Sequence, residues 1–321
     1  MKVARLTGHR KIEFTETDVI NPKEKECLIK VKEVSVCGTD TRREFDKLLP
    51  EDSYPLPVGT PCHEVAGEID ESKSELFERG DRVLVVPPSD DGLQEYLTLN
   101  ESRIIKLPDE GSLDEWVMCQ HSGTALYASK YWGSTVGKSI AVVGQGGIGI
   151  SFSMIAAIQG AKSIIGIDIN ESRLDIAKQL GASDCINVYK DNAVDRILEI
   201  NEGELADVVI EASGRPDGLN TCTSLVKKDG LIICFGLTSE EYIPFDQNAF
   251  LSKNCRIQST LIAGTFTPLK EIKEMVDLKK RGIMDPGKLK THNMHWSEVQ
   301  KAFELYSAHS EGIVKIALKV S

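Results

Sequence analysis

The chain has 321 residues, 41% of them hydrophobic, and a formal net charge of −11 at pH 7. This length and composition suit about two globular domains, each with its own core. The acidic balance and the lack of a long basic run argue against nucleic acid as a partner, because a phosphate backbone needs a basic surface. No stretch approaches the ~20 apolar residues that cross a bilayer, and residues 1–5 continue directly into strand-like sequence. We therefore expect a cytoplasmic protein without a membrane partner.

The first third of the chain is predicted to be rich in β-strands. Short apolar runs at 27–31, 64–69 and 81–86 are separated by glycine, proline and clusters of charge. This pattern is typical of a β-barrel or sandwich. A helix is predicted after it, over residues 113–132.

The pattern changes at residue 139. Residues 140–143 form an apolar run without alternation, as in a buried parallel strand. Helices and strands then alternate, which predicts a doubly wound parallel sheet. The predicted elements are a helix to Gln159, a strand at 163–168, a helix at 172–180, and strands at 206–211 and 231–235. Helices at 270–281 and 296–308 and a strand at 312–320 follow, and the sequence leaves their packing open.

A glycine-rich turn links the first of these parallel strands to its helix. The turn comprises Gly144, Gly146, Gly147, Ile148 and Gly149. Its first glycine allows a tight turn, the second lets the backbone approach a pyrophosphate, and the third lets helix and strand pack closely. Asp168 ends the second strand, where a carboxylate accepts ribose hydroxyl hydrogen bonds and repels a 2′-phosphate. We therefore expect NAD rather than NADP.

A second set of residues has the chemistry of a zinc site. Cys37 follows a strand, and His63 and Glu64 lie farther along the chain. Thiolate and imidazole together suit zinc, and catalytic zinc keeps one position open beside three protein ligands. Glu64 is either a ligand or a nearby carboxylate, and Asp40 is expected to orient the imidazole ring.

The other cysteines do not form a pattern of their own. The eight cysteines are scattered and include no C-x-x-C pair. A reduced compartment fits this distribution better than a disulfide framework. Five of them are expected to be small buried hydrophobic side chains: Cys27, Cys185, Cys222, Cys234 and Cys255.

Together, these segments resemble the zinc-dependent medium-chain alcohol and polyol dehydrogenases. The resemblance rests on residues 36–40, 63–64, 80–83 and 92–96, the glycine turn and Asp168. It implies an α/β protein with a GroES-like β-rich catalytic domain, at 1–120 and 259–321, and a Rossmann NAD-binding domain at 121–258. It also implies a homodimer or homotetramer built through the Rossmann sheets. Arg173, Ser213 and Gly236 are assigned to the nucleotide as well.

The chain departs from the family in three places. Residues 86–92 cross the region where the family has four closely spaced cysteines for a structural zinc, so we expect one catalytic zinc only. Cys62 stands where the family usually has glycine, and a buried bystander is the expected role. The third zinc ligand falls at Gln120 on the family's pattern, as in archaeal-type glucose dehydrogenases, whereas Cys119 is chemically the stronger ligand. Adjacent helical residues point about 100° apart, so both do not ligate easily.

The resemblance also implies a mechanism. Zinc acts as a Lewis acid on the substrate oxygen, and Thr39 accepts the alcohol proton. Arg42 stands where family members often have a histidine that relays this proton, and arginine stays charged. The relay is therefore expected to run through ribose hydroxyls, while nicotinamide accepts the hydride.

The predicted function is oxidation of a secondary, sugar or polyol hydroxyl with NAD. Polar residues in the segments 48–57 and 89–95 favour a polyhydroxylated substrate. The alternatives are a simple alcohol dehydrogenase, a metal-free quinone or enoyl reductase, and an inactive NAD-binding protein. Cys37, His63 and Asp168 argue against a metal-free reductase, and Thr39 argues against an inactive protein.

Overall fold

The computed structural model describes residues 1–262, 267, 269–310 and 312–320. The chain divides into two compact units. The first contains Met1–His121, Val276–Lys280 and Asp285–Ser321, and the second contains Ser122–Met275 and Arg281–Met284.

The first unit is built from β-strands. Its strands are β1 (Lys2–Gly8), β2 (Lys11–Glu16), β3 (Glu26–Ser35), β4 (Glu64–Ser72), β5 (Arg82–Val85), β6 (Tyr96–Asn100), β7 (Ile104–Lys106), β14 (Lys290–His295) and β15 (Lys315–Lys319). β1 and β2 form a hairpin, and the other strands form a sheet in the order β14-β15-β3-β4-β5-β7, with β6 also paired to β3. The predicted strands at 27–31, 64–69 and 81–86 lie in β3, β4 and β5.

Short helices close this sheet. They are α1 (Gly38–Asp40), α2 (Leu113–Trp116) and α10 (Val299–Ser307), with a π-helix at Thr41–Phe45 and 3₁₀ turns at Glu51–Ser53, Glu101–Arg103, Pro286–Leu289 and Trp296–Glu298. Phe45 and Phe303 are both fully buried, with ring centroids 5.4 Å apart. Their contact fastens the π-helix to α10 within the main apolar core of this unit. The π-helix continues from α1, so this packing also anchors the segment that follows Cys37.

The described residues of the second unit form a parallel sheet of six strands. Its strands are β8 (Ser139–Val143), β9 (Ser163–Asp168), β10 (Asp184–Asn187), β11 (Ala206–Glu211), β12 (Val226–Cys234) and β13 (Arg256–Ser259). The order is β10-β9-β8-β11-β12-β13, and every described pairing is parallel. The strand order reverses direction at β8, and in open α/β sheets a ligand binds at the carboxyl ends beside such a reversal. The predicted doubly wound sheet is confirmed.

Helices connect these strands. They are α4 (Gly147–Ile158), α5 (Glu171–Leu180), α6 (Ala193–Ile200), α7 (Gly218–Leu225) and α8 (Gln247–Lys253), while α3 (Met118–Ser129) precedes the sheet and α9 (Lys270–Lys280) follows it. β8 is buried at all five positions, which explains its unbroken apolar run.

The structure corrects three details of the sequence prediction. The helix predicted over 113–132 is two helices, α2 and α3, and the last strand begins at Lys315 rather than at 312. The described residues of 259–275, predicted to belong with the first unit, group with the second. The physical reason is the packing of α9 on α3, where Lys130 Nζ lies 2.9 Å from Glu271 Oε1.

The eight cysteines are free thiols. Cys27, Cys222 and Cys255 are buried as expected, but Cys185 and Cys234 are only half-buried. In the described part of the chain, every helix is too short or too polar to span a membrane.

Candidate metal centre and nucleotide turn

Cys37 lies directly after β3, where the chain turns into α1. Asp40 Oδ2 accepts a hydrogen bond from the Cys37 backbone N–H at 3.0 Å, which closes this turn. The Thr39 hydroxyl donates to Cys37 Sγ at 3.2 Å. The thiol is only half-buried, so it combines a fixed position with access from outside. The turn that leads into α1 thus brings Cys37 together with Thr39 and Asp40.

His63 precedes β4 and faces the same turn. Its Nδ1 lies 2.9 Å from Asp40 Oδ1, and the Asp40 side chain is 2% exposed. Burial by itself lowers the pKa of His63, but the charges of Asp40 and Cys37 outweigh it and raise that pKa well above its usual value. Because Asp40 engages Nδ1, the ring is oriented with Nε2 as its other ligand atom.

Glu64 is fully buried and forms an ion pair that the sequence analysis did not identify. Its Oε2 lies 2.6 Å from Lys315 Nζ, which also donates to the Val36 carbonyl at 2.7 Å. Burial by itself raises the pKa of Glu64, but the positive charge of Lys315 outweighs it and lowers that pKa. Glu64 Oε1 has no hydrogen-bond partner among the described residues. A buried carboxylate oxygen of this kind is a ready metal ligand.

The ligand atoms of Cys37, His63 and Glu64 all lie within 4.8 Å of one another. Donor atoms about 2.0 to 2.3 Å from a tetrahedral zinc would lie about 3.3 to 3.8 Å apart, so the spacing fits such an ion. The donor types fit as well, because thiolate, imidazole and carboxylate are all zinc ligands. In the described part of the chain, this is the one such grouping of three.

Gln120 and Cys119 are adjacent in α3 and are both buried. Gln120 Oε1 has no hydrogen-bond partner among the described residues. Burial raises the pKa of the Cys119 thiol, and the charges that act on it most are those of Lys279 and Asp285. Cys119 is not in the group formed by Cys37, His63 and Glu64. The alternative third ligand, Cys119, therefore lies outside the group of candidate ligand atoms.

Other ionisable side chains lie around the centre, and the sequence analysis gave no role to Asp90 or Glu44. Asp90 Oδ1 lies 3.7 Å from His63 Nδ1. Burial, together with the negative charge of Asp40, raises the pKa of Glu44 to about 7. Cys62 is 1% exposed, and burial raises the pKa of its thiol well above the usual value, as expected for an inert neighbour. A signal for Lys315 was available, since a lysine inside the apolar run 313–318 is unusual.

The backbone of the glycine turn is closely packed at two positions and open at a third. Gly144 has φ +94°, and a Cβ at Gly149 would lie 1.8 Å from the Gly144 carbonyl oxygen. Both positions therefore exclude a side chain. A Cβ at Gly146 would meet no atom within 4 Å, so the backbone there borders open space. Gly147 and Ile148 then begin α4, whose N-terminal N–H groups suit an anion.

Asp168 ends β9 beside this turn. Its Oδ2 accepts the Gln145 backbone N–H at 2.5 Å, and its Oδ1 accepts those of Ile169 and Asn170 at 2.7 and 2.9 Å. The Arg173 backbone N–H donates to Asn170 Oδ1 at 3.2 Å, so the start of α5 is tied to the same loop. The side chain of Asp168 is therefore held at the carboxyl edge of the sheet.

Ser213 and Gly236 lie at the same edge. Ser213 follows β11, and its backbone would be 2.8 Å from a Cβ at Gly144. Gly236 follows β12, and its N–H donates to the Glu211 carbonyl at 2.8 Å. The structure thus brings together the turn, Asp168 and the loops after the neighbouring strands.

Comparison with known proteins gives two family matches. Residues 23–125 match the alcohol dehydrogenase GroES-like domain, and residues 147–281 match the zinc-binding dehydrogenase domain. Sorbitol dehydrogenase of Bacillus subtilis is 27% identical over 337 aligned positions, which cover 95% of this chain and 93% of that protein. L-threonine 3-dehydrogenase of Idiomarina loihiensis is 27% identical, with 95% and 96% covered.

A solved structure is similar over the whole length. The Escherichia coli protein ECK1772, described as an oxidoreductase/dehydrogenase of unknown specificity involved in membrane biogenesis, has a TM-score of 0.88 and 26% identity. The similarity covers 100% of this chain and 99% of that one. Sequence and structure comparisons therefore agree over both units of the chain.

Proposed function

Because this chain belongs to the zinc-dependent medium-chain alcohol and polyol dehydrogenases, we propose that it oxidises a secondary hydroxyl of a polyol or sugar with NAD. The family makes it a zinc-dependent oxidoreductase of hydroxyl substrates, and the substrate and residue roles are the proposal. The observation that carries it is the convergence of Cys37, His63 and Glu64 ligand atoms within 4.8 Å. Such a grouping is not expected in a metal-free reductase or in a protein that only binds NAD.

Cys37 and His63 are proposed to hold the zinc, with Gln120 as third ligand and Glu64 joining or replacing it. Support comes from the oxygens of Gln120 and Glu64, which are buried and without a hydrogen-bond partner among the described residues. Bound zinc supplies a Lewis acid that lowers the pKa of an alcohol. Asp40 engages the His63 ring at Nδ1, which fixes the orientation of the ring and leaves Nε2 to ligate the metal.

Thr39 is proposed to accept the alcohol proton. Its hydroxyl lies 3.2 Å from Cys37 Sγ, so it stands directly beside a metal ligand. A hydroxyl accepts one proton while it donates its own, and can therefore pass a proton outward to a ribose hydroxyl. Arg42 is three residues farther along and stays charged, so it takes no part in this transfer.

The glycine turn, Arg173, Ser213 and Gly236 are proposed to bind the nucleotide. Open space at Gly146 leaves room for the pyrophosphate against the start of α4. Asp168 is proposed to select NAD, because its carboxylate would repel a 2′-phosphate at the ribose. Bound NAD supplies the hydride acceptor.

A polyol or sugar is the proposed substrate class. The sorbitol dehydrogenase relative acts on such a compound by its name, and it aligns with 95% of this chain. The polar segments 48–57 and 89–95 support the same class, since each substrate hydroxyl requires a hydrogen-bonding side chain. The finer likeness to archaeal-type glucose dehydrogenases stays a prediction. A simple alcohol as the substrate is the second candidate, and an apolar cleft would favour it.

Reduction of NAD by a panel of sugars, polyols and secondary alcohols tests this proposal. We expect turnover on polyols or sugars with NAD and little with NADP. Thr39→Ala should lower kcat by about 10²- to 10⁴-fold, the usual contribution of a proton acceptor, and leave NAD affinity unchanged. Thr39→Ser is the matched control, because it keeps the hydroxyl. Equal turnover by Thr39→Ala and the wild type would refute the assigned role, and inactivity of the wild type on the whole panel would refute the substrate class.

We also propose that the chain forms a homodimer, or a tetramer made of such dimers, through the edge of the parallel sheet at β13. Among the described residues, β13 pairs with β12 alone. Ile257 within β13 is 36% exposed, and Leu261, two residues after the strand, is 54% exposed. An unpaired sheet edge with exposed apolar side chains beside it favours addition of a strand from a second copy. A reducing compartment, the cytoplasm, is proposed because all eight cysteines are free thiols.

A further inference from the structure

Glu211 is a buried carboxylate that the proposed mechanism does not use. It is 3% exposed and is the last residue of β11. Its partner in the strand register is Val143, which immediately precedes the glycine turn. Glu211 therefore lies at the same edge of the sheet as the turn, although the sequence analysis did not assign it a role.

One oxygen of this carboxylate accepts three hydrogen bonds from the loop after β11. Glu211 Oε1 is 2.9 Å from the Ser213 backbone nitrogen, 2.6 Å from Ser213 Oγ and 3.0 Å from the Gly214 nitrogen. Hydrogen bonds to a charged acceptor are about twice as strong as neutral ones. A buried charge with this many donors fixes the loop in one conformation.

Glu211 also contacts two further segments. A Cβ at Gly236, after β12, would lie 2.2 Å from Glu211 Oε2, and a Cβ at Gly218, at the start of α7, would lie 2.5 Å from Oε1. The backbone carbonyl of Glu211 accepts N–H groups from Phe235 at 3.1 Å and from Gly236 at 2.8 Å. Glu211 thus contacts the loops that follow both β11 and β12.

The loop after β11 lies directly against the glycine turn. A Cβ at Gly144 would be 2.8 Å from both the nitrogen and the Cα of Ser213. Gly144 has φ +94°, so it does not accommodate a side chain, and the turn is in close contact with the Ser213 backbone. Movement of Ser213 would therefore disturb the turn itself.

We propose that Glu211 is a positioning residue for the nucleotide. It holds Ser213, Gly214 and Gly236 in their binding conformation before the nucleotide arrives, so that binding does not have to order these loops. This inference rests on the proposed function, since it takes NAD as the ligand of this edge. It assigns Glu211 an effect on NAD affinity and none on the metal centre.

Replacement of Glu211 tests the proposal. Glu211→Ala should raise the Kd and KM for NAD about 10- to 100-fold, as expected when charge-assisted hydrogen bonds that order a binding loop are lost. The kcat at saturating NAD and the zinc content should stay within about threefold of the wild type, because Glu211 touches neither reacting group in this account. Glu211→Gln should restore most of the affinity, since its amide oxygen can accept the same three donors.

Two further variants keep the test decisive. Glu211→Asp retains the charge but shortens its reach, so it should also weaken NAD binding. It serves as the test if the alanine variant fails to fold. Asp207→Ala is the matched control at the opposite end of β11, where Asp207 Oδ2 accepts the Ser139 backbone N–H at 2.8 Å. It should lower thermal stability and leave the Kd for NAD unchanged.

Isothermal titration with NAD gives outcomes that separate this inference from the proposed function. Weaker binding by the alanine and aspartate variants, with recovery by glutamine, supports the positioning role. Affinity within twofold of the wild type in folded Glu211→Ala, or equal weakening by Asp207→Ala, overturns it. Failure of the wild type itself to bind NAD would instead refute the proposed function.

Discussion

At the scale of single residues, the metal centre is a combination of predicted and unexpected side chains. Sequence motifs indicated Cys37, His63 and Glu64, and their ligand atoms do lie within 4.8 Å of one another. The pairing of Lys315 with Glu64 was not anticipated, because the two residues are 251 positions apart and sequence spacing carries no information on such contacts. The pairing of β3 with both β15 and β4 brings Lys315 and Glu64 together.

Lys315 leads to a prediction about the stability of the first unit. Both members of the Lys315–Glu64 pair are almost fully buried, at 1% and 0% side-chain exposure. Lys315→Met should destabilise zinc-depleted protein by about 3 to 5 kcal/mol, because it leaves a buried carboxylate without its counter-charge. The measurement is urea unfolding after treatment with a chelator.

A double variant provides the control for this prediction. Glu64→Gln combined with Lys315→Met removes both charges, and should recover part of the lost stability. Purely additive effects, or a cost below about 1 kcal/mol for Lys315→Met alone, would show that the pair contributes as little as a surface salt bridge.

At the scale of secondary-structure elements, the parallel sheet was the most predictable part of the molecule. The strand predicted at 163–168 is β9 with the same bounds, because an apolar run between a turn and Asp168 leaves few alternatives. The predicted ends of helices and strands were wrong where tertiary packing decides where an element begins or ends. The helix predicted over 113–132 is interrupted at Val117. The strand β13 was not predicted, because its four residues do not form an apolar run.

Close packing of α3 against α9 gives a prediction at this scale. A Cβ at Gly123 would lie 2.6 Å from the Cα of Ile272, a distance that the backbone must relieve. Gly123→Ala should therefore destabilise the protein by about 1 to 3 kcal/mol, although alanine favours helix more than glycine does. Thermal unfolding provides the measurement.

The matched control for Gly123→Ala is an alanine substitution at Gly146, where a side chain has space. Gly146 has negative φ, and a Cβ there would meet no atom within 4 Å, so Gly146→Ala should leave thermal stability nearly unchanged while weakening NAD binding. If Gly123→Ala were as stable as the wild type, the contact between α3 and α9 would be looser than described.

At the scale of the whole molecule, the sequence predicted the family and the α/β class, and the family matches and the parallel sheet confirm both. It could not predict that the described residues of 259–275 group with the second unit. That grouping depends on contacts such as Lys130 with Glu271, which join segments 141 residues apart. Ion pairs between distant segments leave no pattern in either segment alone.

The proposed assembly through β13 gives a prediction at the same scale. Wild-type protein should sediment as at least twice the 35.3 kDa of one chain. Ile257→Lys places a charge on the edge strand and should yield a monomer, because a buried unpaired charge opposes strand pairing. Leu76→Lys is the control, since Leu76 is an exposed apolar residue, at 66%, in the first unit. A monomeric wild type, or an unaffected Ile257→Lys variant, would contradict this assembly.

Zinc content, measured by elemental analysis of the wild type and two cysteine variants, tests the central claim most directly. We predict about one zinc per chain in the wild type, loss of most of it in Cys37→Ser, and retention in Cys119→Ser, because Cys119 is outside the group formed by Cys37, His63 and Glu64. A wild type purified without chelators that lacks zinc, or a Cys37→Ser variant that keeps a full equivalent, would contradict the assignment of Cys37, His63 and their neighbours as a catalytic metal centre.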